Sequence, residues 1–280
     1  MADDPTPWLP QKFQAFSAIV AAEAQLFHKI MDLLGRWATR LRSAVFGSTW
    51  AAKPIVPGAA PSLIDPIGVR STMSWFDAQL SDDVLVEVRE IFDWASGDIA
   101  DPEPNGLYRA QQAVNAARNR LVGIPDSVFR DVQAQTLKAT TEGWSIDELA
   151  EQVDAILAEA GADRWRNRAR TIARTEAVAA YNGGTYSGFL SYAGQVTGDW
   201  EKVWLETHDH RTRTTHREHS GFGGQRVPLT GMFNANGVDM LYPGWPLGPA
   251  AEVINCRCSL LLAHKGEIID FSNRHYKGGA

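Results

Sequence analysis

The sequence predicts an α+β fold: a long-helix N-terminal half followed by a small mixed α/β C-terminal domain with a short antiparallel sheet. Three observations carry this. From Gln11 onward, apolar residues recur at threes and fours, the period of one helix face. Proline-rich stretches punctuate that pattern. Past Asn182-Gly183-Gly184 the texture changes to short runs rich in aromatic and β-branched residues between glycine-rich turns.

The elements follow in order. From Gln11 to about Val45, Phe13, Phe16, Ile19, Val20, Leu26, Phe27, Ile30, Met31, Leu34, Trp37 and Leu41 mark one amphipathic helix. A helix of that length needs a surface to cover its stripe, either the chain's own second helix or another subunit. Ala51 to Pro66 holds four prolines and reads as a linker. Thr72 to Trp94 is helical again, with a break expected at Ser81-Asp82-Asp83, and Ser96 to Gly106 reads as a second linker. Leu107–Leu121 and Ser127–Thr140 are expected as two helices on either side of Gly-Ile-Pro-Asp. Ser145 and Glu148 have the spacing of a capping box, opening a helix striped by Leu149, Val153, Ile156 and Leu157 that Gly161 would stop. The helix from Asp163 to about Tyr181 buries Trp165, Ala169, Ile172, Ala173, Ala177 and Ala180 and is expected to end at Asn182-Gly183-Gly184. Asp199–Leu205 alternates as a strand, short strands are expected in QRVPLT and VDMLY, and Glu252–Leu262 (EVINCRCSLLL) reads as the strongest strand. The expected organisation is an arm at 1–50, a linker at 51–66, a helical region at 67–160 and the α+β domain at 161–280.

The composition narrows the function classes. Hydrophobic residues make up 44% and charged residues 21%, normal for a globular protein, and the net charge of -6 argues against a protein that coats nucleic acid. Two cysteines cannot build a disulfide framework. MADDPTPW carries acids where a signal peptide needs basic residues, and no run reaches the length of a membrane span, so no membrane is expected.

Two clusters carry candidate chemistry. DHRTRTTHREHSG (Asp209–Gly221) holds His210, His216 and His219 with Arg211, Arg213 and Arg217, and His208 precedes it. INCRC (Ile254–Cys258) holds both cysteines. On a strand, Ile254, Cys256, Cys258, Leu260 and Leu262 share one face, which makes the thiols small core hydrophobes. The sharper reading is a zinc ion held by Cys256, Cys258, His216 and His219. Cys-x-Cys departs from the usual spacing of zinc ligands, so packing is favoured. The histidine loop contains too few acids for a metal-dependent nuclease, and the expectation is a polar loop whose arginines pair with acids such as Glu176. Arg164, Arg166, Arg168, Arg170 and Arg174 line the flanks of one helix, where phosphate contacts compete with solvation or ion pairing. No phosphate loop, dinucleotide fingerprint or nucleophile elbow is present.

Taken in order, several short pieces resemble the bacteriophage Mu F-like minor head protein (phage head morphogenesis) family. They are GWSxxELA (Gly143–Ala150), TIARTE (Thr171–Glu176) followed by Asn182, WxxxxDxRTRxxH (Trp204–His216), Gly221, Tyr242-Pro243 and NCRC (Asn255–Cys258). The resemblance runs from about Ile124 to Leu262 and leaves the N-terminal helices uncovered. It implies a virion component and not an enzyme: a low-copy protein in the capsid interior at the portal vertex, assembled in the host cytoplasm. Its implied partners are the portal ring, capsid or scaffold proteins and packaged DNA, and its implied roles are head assembly and DNA packaging or ejection. Many members carry Cys-x-x-Cys where this chain has Arg213–His216, and His-Pro where it has Val253-Ile254. The ligand set those members suggest is depleted here, which again favours packing, so no metal and no cofactor is expected. Some relatives are fused to toxin or protease domains, and no such extra domain is expected in this sequence. On this reading Arg174, Thr175, Glu176, Asp209, Arg211, Thr212, Arg213, His216, Asn255, Cys256, Arg257 and Cys258 form a structural junction. The alternatives are a metal-dependent nuclease or toxin-like enzyme using His208–His219, or a DNA-binding protein using the Arg164–Arg174 helix.

Overall fold

The structure, a computed structural model, describes residues 11–46, 66–97, 106–142, 144, 146–159, 165–207, 209–218 and 221–269. Residues 51–65 and 98–105 of the expected linkers, the capping serine Ser145, the helix stop Gly161, Arg164, His208 and His219 lie outside the described residues. Helices α1 (Gln11–Phe46), α2 (Pro66–Gln79), α3 (Leu85–Ser96), α4 (Gly106–Glu142), α5 (Ile146–Glu159) and α6 (Trp165–Gln195) precede strand β1 (Trp200–Leu205). Strands β2 (Arg226–Pro228), β3 (Phe233–Ala235) and β4 (Val238–Met240), the short helix α7 (Ala250–Val253) and strand β5 (Ser259–His264) complete the fold. The α+β expectation holds, with helices first and a small antiparallel sheet last. No helix among the described residues is long and apolar enough to cross a membrane.

The chain forms two compact units, each discontinuous in sequence. One takes the described parts of Phe27–Val86 and Arg118–Arg170. Its core is helical: Ile30, Leu34, Trp37 and Leu41 of α1 are buried, and Trp37 stands edge-on to Phe76 with ring centroids 6.0 Å apart. The α1 stripe in this unit is therefore covered by the chain itself. Arg36 reaches Asp83, and Arg42 pairs with Asp154 at 2.6 Å.

The other unit takes the described parts of Met1–Leu26, Glu87–Ala117 and Thr171–Ala280. Its three-stranded sheet has the order β2-β1-β5, antiparallel throughout, with Trp204 opposite Leu260 and Leu205 opposite Ser259. One face packs Trp204, Leu260 and Leu262 against Val178, Tyr186 and Phe189 of α6 and against Phe222, Phe233 and Tyr242. The other face buries Val203, Leu261, Ala263 and Ile269. Strands β3 and β4 form a hairpin around Asn236-Gly237, both at positive φ (53° and 79°), a pair suited to the tight turn that matches strand twist.

Four expectations are corrected. The acidic run at Ser81-Asp82-Asp83 does not break the helix. It lies in a π-helical turn, Leu80–Val84, in which the Leu85 N–H bonds the Leu80 carbonyl and both Leu80 and Val84 stay buried. Inserting one residue lets the helix keep its apolar side inward across a polar stretch. Residues 107–140 are one helix: α4 runs through Gly123-Ile124-Pro125-Asp126. Proline denies the Leu121 carbonyl its usual donor, and burial of Leu121, Val128 and Val132 outweighs that loss.

The third correction concerns Asn182-Gly183-Gly184, which sits mid-helix in α6 instead of ending it. A Cβ on Gly184 would lie 2.2 Å from the Phe92 carbonyl oxygen, and one on Gly188 2.6 Å from that of Ser96. These glycines let α3 approach the α6 backbone; they are contacts and not stops. The fourth is the last strand. Pro249 starts a helical turn, Asn255 turns left-handed at φ 60°, and Ile254 is exposed, so β5 begins only at Ser259. Cys256 and Cys258 are buried as expected, but in the loop that leads into the strand.

A candidate metal-binding junction

The junction lies wholly in the unit that holds the sheet. Three segments meet at it: the middle of α6, the loop after β1, and the turn between α7 and β5. The Asn182 side chain, fully buried in α6, reaches the edge of β5. Its amide donates to the carbonyls of Pro243 and Cys258, each at 3.0 Å, and its oxygen accepts from the Leu260 N–H at 3.0 Å. Because β5 is an edge strand, this one amide stands where a neighbouring strand's peptide group would.

Two turns earlier on α6, the Thr175 hydroxyl accepts from the Asn255 N–H at 3.0 Å and donates to the Thr171 carbonyl at 2.7 Å. Arg174 donates to the Asn255 side-chain oxygen at 3.2 Å and pairs with Glu23 of α1 at 2.7 Å. The left-handed Asn255 is thus held on both sides, and asparagine suits that conformation.

The β1 loop is tied by its own short polar groups. Thr207 donates to the Arg257 carbonyl at 2.6 Å, and Thr212 donates back to the Thr207 carbonyl. Asp209 accepts the Arg211 N–H at 2.8 Å and takes a two-pronged ion pair from Arg257, one prong at 2.8 Å. That hydrogen bond with Arg257 holds the Asp209 carboxyl at about 2. Arg213 directs both amino groups to the carbonyls of Glu252 and Ile254, and Arg211 approaches Asp209 at 3.9 Å. Glu176, the acid expected to pair with the loop arginines, is buried in α6. Gly221 is required because a Cβ there would fall 1.9 Å from the Thr215 carbonyl oxygen.

At the centre, His216 is buried beneath Trp204, whose ring lies edge-on to it at 5.2 Å. Its Nε2 is 2.9 Å from a Glu252 carboxylate oxygen, which also accepts the Thr215 hydroxyl at 2.8 Å. Its Nδ1 faces both thiols: Cys258 Sγ at 3.4 Å and Cys256 Sγ at 3.7 Å. Bonding to Cys258 and burial push the Cys256 thiol well up. Burial also acts to raise Cys258, but its hydrogen bonds with Cys256 and His216 outweigh that and hold it well below an ordinary thiol. Beside the three side chains lies a cavity of about 280 Å³, whose wall includes Arg174, Arg211, Arg213 and Arg257.

Most of the residues singled out by sequence thus converge. Two acidic participants were not foreseen. Glu252 was hidden by the strand reading, although Pro249-Ala-Ala-Glu is a helix-start signal. Glu23 sits 151 residues from Arg174 and carries no local signal. The arginine row of α6 is exposed at Arg166, Arg168 and Arg170, apart from the Arg170 guanidinium 5.5 Å above the Phe27 ring.

What the fold and junction define is a helical protein carrying a small sheet whose loops are tied together by side-chain hydrogen bonds and ion pairs. Residues 130–261 match the family described as Phage Mu protein F like protein. The match supports a structural protein of bacteriophage head morphogenesis. The chain is also 29% identical over 164 residues to NAD(+)–arginine ADP-ribosyltransferase EFV of Enterococcus faecalis, covering 59% of this chain and 31% of that protein. It therefore spans less than a third of the relative's length. No solved structure matches the chain.

Proposed function

We propose that the chain is a minor structural protein of a tailed-phage head, held inside the capsid at the portal vertex, where it serves head assembly and DNA packaging or ejection. Its partners are the portal ring and capsid or scaffold proteins, with packaged DNA as a further contact. The observation that carries this reading is the family match over 130–261, supported by the convergence of the matching motifs on one junction. Asp209 is neutralised by Arg257, and among the described residues the one group of three or more metal-ligating side chains is His216, Cys256 and Cys258.

Imaging of assembled heads tests the location. Density for the chain on the inner side of the portal ring is expected; its absence from heads, or a place on the outer shell, refutes the proposal. Catalysis is tested on the purified full chain. Plasmid and single-stranded DNA with magnesium, manganese or zinc should stay intact, and labelled NAD should leave no ADP-ribose on an arginine-containing acceptor. Cleavage lost on His216→Ala, or transfer of label, refutes the non-enzymatic reading.

A further inference from the structure

We propose that His216, Cys256 and Cys258 bind one zinc ion, with a fourth coordination position open toward the arginine-lined cavity. The case begins with convergence. The three ligand atoms lie within 4.8 Å of one another, all on buried side chains, although Cys256 and Cys258 are 40 and 42 residues from His216 in sequence. A tetrahedral zinc with bonds of about 2.3 Å to sulfur and about 2.0–2.1 Å to nitrogen places nitrogen and sulfur roughly 3.5–3.6 Å apart. The two observed separations, 3.4 and 3.7 Å, bracket that value.

The orientation of the imidazole is the second argument. Its Nε2 faces a carboxylate oxygen of Glu252, so that nitrogen carries the proton and Nδ1 offers its lone pair to the thiols. A carboxylate behind a ligating histidine fixes its tautomer and raises its basicity, the arrangement usual at zinc sites. Thr215 bonds the same Glu252 oxygen and keeps it in place. Without a metal, one Nδ1 lone pair must serve two sulfurs; a dication accepts all three lone pairs at once.

The third argument is the spacing that counted against zinc in the sequence. Cys-x-Cys on a strand would splay the thiols along one face. Here the two cysteines sit off the strand, after the left-handed Asn255, and both sulfurs turn to the same nitrogen. The local geometry removes the objection that the spacing raised.

The fourth position follows from the surroundings. The three ligand residues also line the cavity, together with arginines. Zinc with two thiolates and a neutral imidazole has no net charge. Of the neighbouring cations, Arg174 and Arg257 face carboxylates, whereas Arg213 donates, among the described residues, to the carbonyl oxygens of Glu252 and Ile254. An oxygen ligand is expected there: water, exchangeable for a small oxyanion.

The test uses the full chain, produced with zinc and purified without chelator. Elemental analysis should find one zinc per chain. After chelator stripping, cobalt should bind one to one, with the visible bands of tetrahedral thiolate coordination, and zinc should displace it. Inorganic phosphate should shift those bands. Cys256→Ser, Cys258→Ser and His216→Ala should each abolish stoichiometric binding. Because those variants disturb a buried site, the parent's metal content and cobalt spectrum decide. Arg166→Ala, an exposed position on α6 away from the cavity wall, should keep the zinc. A folded parent with only trace zinc and no cobalt bands overturns the site. Cobalt bands indifferent to excess phosphate, or loss of binding in His219→Ala, overturn the open fourth position.

Discussion

Replacing Asn182 with alanine removes three hydrogen bonds at once, and the damage can be estimated. The amide satisfies the Cys258 and Pro243 carbonyls and the Leu260 N–H in a fully buried setting. Each bond contributes about 1 kcal/mol net, and a buried group left unpaired costs about 1–3 kcal/mol. Some of the abandoned groups will recover partners by small shifts, so the expected loss is roughly 3–5 kcal/mol. With about 2–4 °C per kcal/mol for a unit of this size, the melting temperature should fall by roughly 6–20 °C. Scanning calorimetry and urea titration of the full chain measure it. Asn182→Asp is the sharper control. It keeps the shape and can still accept from Leu260, but an ionised carboxylate would point a second oxygen at two carbonyls. It should be tolerated better at acidic pH, where the carboxyl keeps a proton to donate. A loss below about 1 kcal/mol for the alanine variant, or an aspartate variant equally stable at all pH values, refutes the argument that this amide completes the sheet edge.

Gly184→Ala should destabilise by more than about 2 kcal/mol, because the new methyl meets the Phe92 backbone oxygen and not a side chain that can turn away; a neutral result in urea unfolding would contradict the close helix approach. Asp209 has its folded proton affinity lowered by Arg257 to about 2. Its contribution is complete above the unfolded value near pH 4, is lost as pH falls through about 2, and amounts to roughly 2 kcal/mol. Asp209→Asn should flatten that acid limb of the stability profile. Lys202 is buried beneath the rings of Tyr186 and Phe233, and burial lowers it to about 7. Between there and about pH 10 the unfolded chain binds the extra proton, so stability should rise with pH over this window. Lys202→Met should remove the rise and be more stable near pH 7 despite losing the bond to the Leu241 carbonyl, as read by urea unfolding across this pH range.

Much of the helical half was legible because its signal is periodic and redundant. Ile30, Leu34, Trp37 and Leu41 repeat one statement, and α1 begins and ends within a residue or so of where they place it. β1 was legible for the same reason. The errors fall where a local rule was overruled by packing. Glycines that read as a helix stop are there for a neighbouring backbone, and Pro125 sits inside a helix held by buried residues on both sides. The INCRC segment alternated like a strand, yet Asn255, pinned by Thr175 and Arg174, turns it away. At the junction, residue types and order were readable, since the motif pieces all arrive at one place. The pairing of those pieces was not: the sequence does not say that Arg257, rather than a residue of α6, would meet Asp209, nor that Glu252 would stand behind His216.

The glycines of α6 carry a consequence for how the chain reaches this state. Gly183, Gly184 and Gly188 lie within six residues, each weakening an isolated helix by about 1 kcal/mol relative to alanine. The middle of α6 therefore has little tendency to form before α3 is beside it, and α3 gains its contact only once that segment is helical. The two must form in the same kinetic step, between segments about 90 residues apart. Folding of this unit is then limited by a long-range encounter, and its rate should be slowed by Gly184→Ala even though alanine favours helix locally.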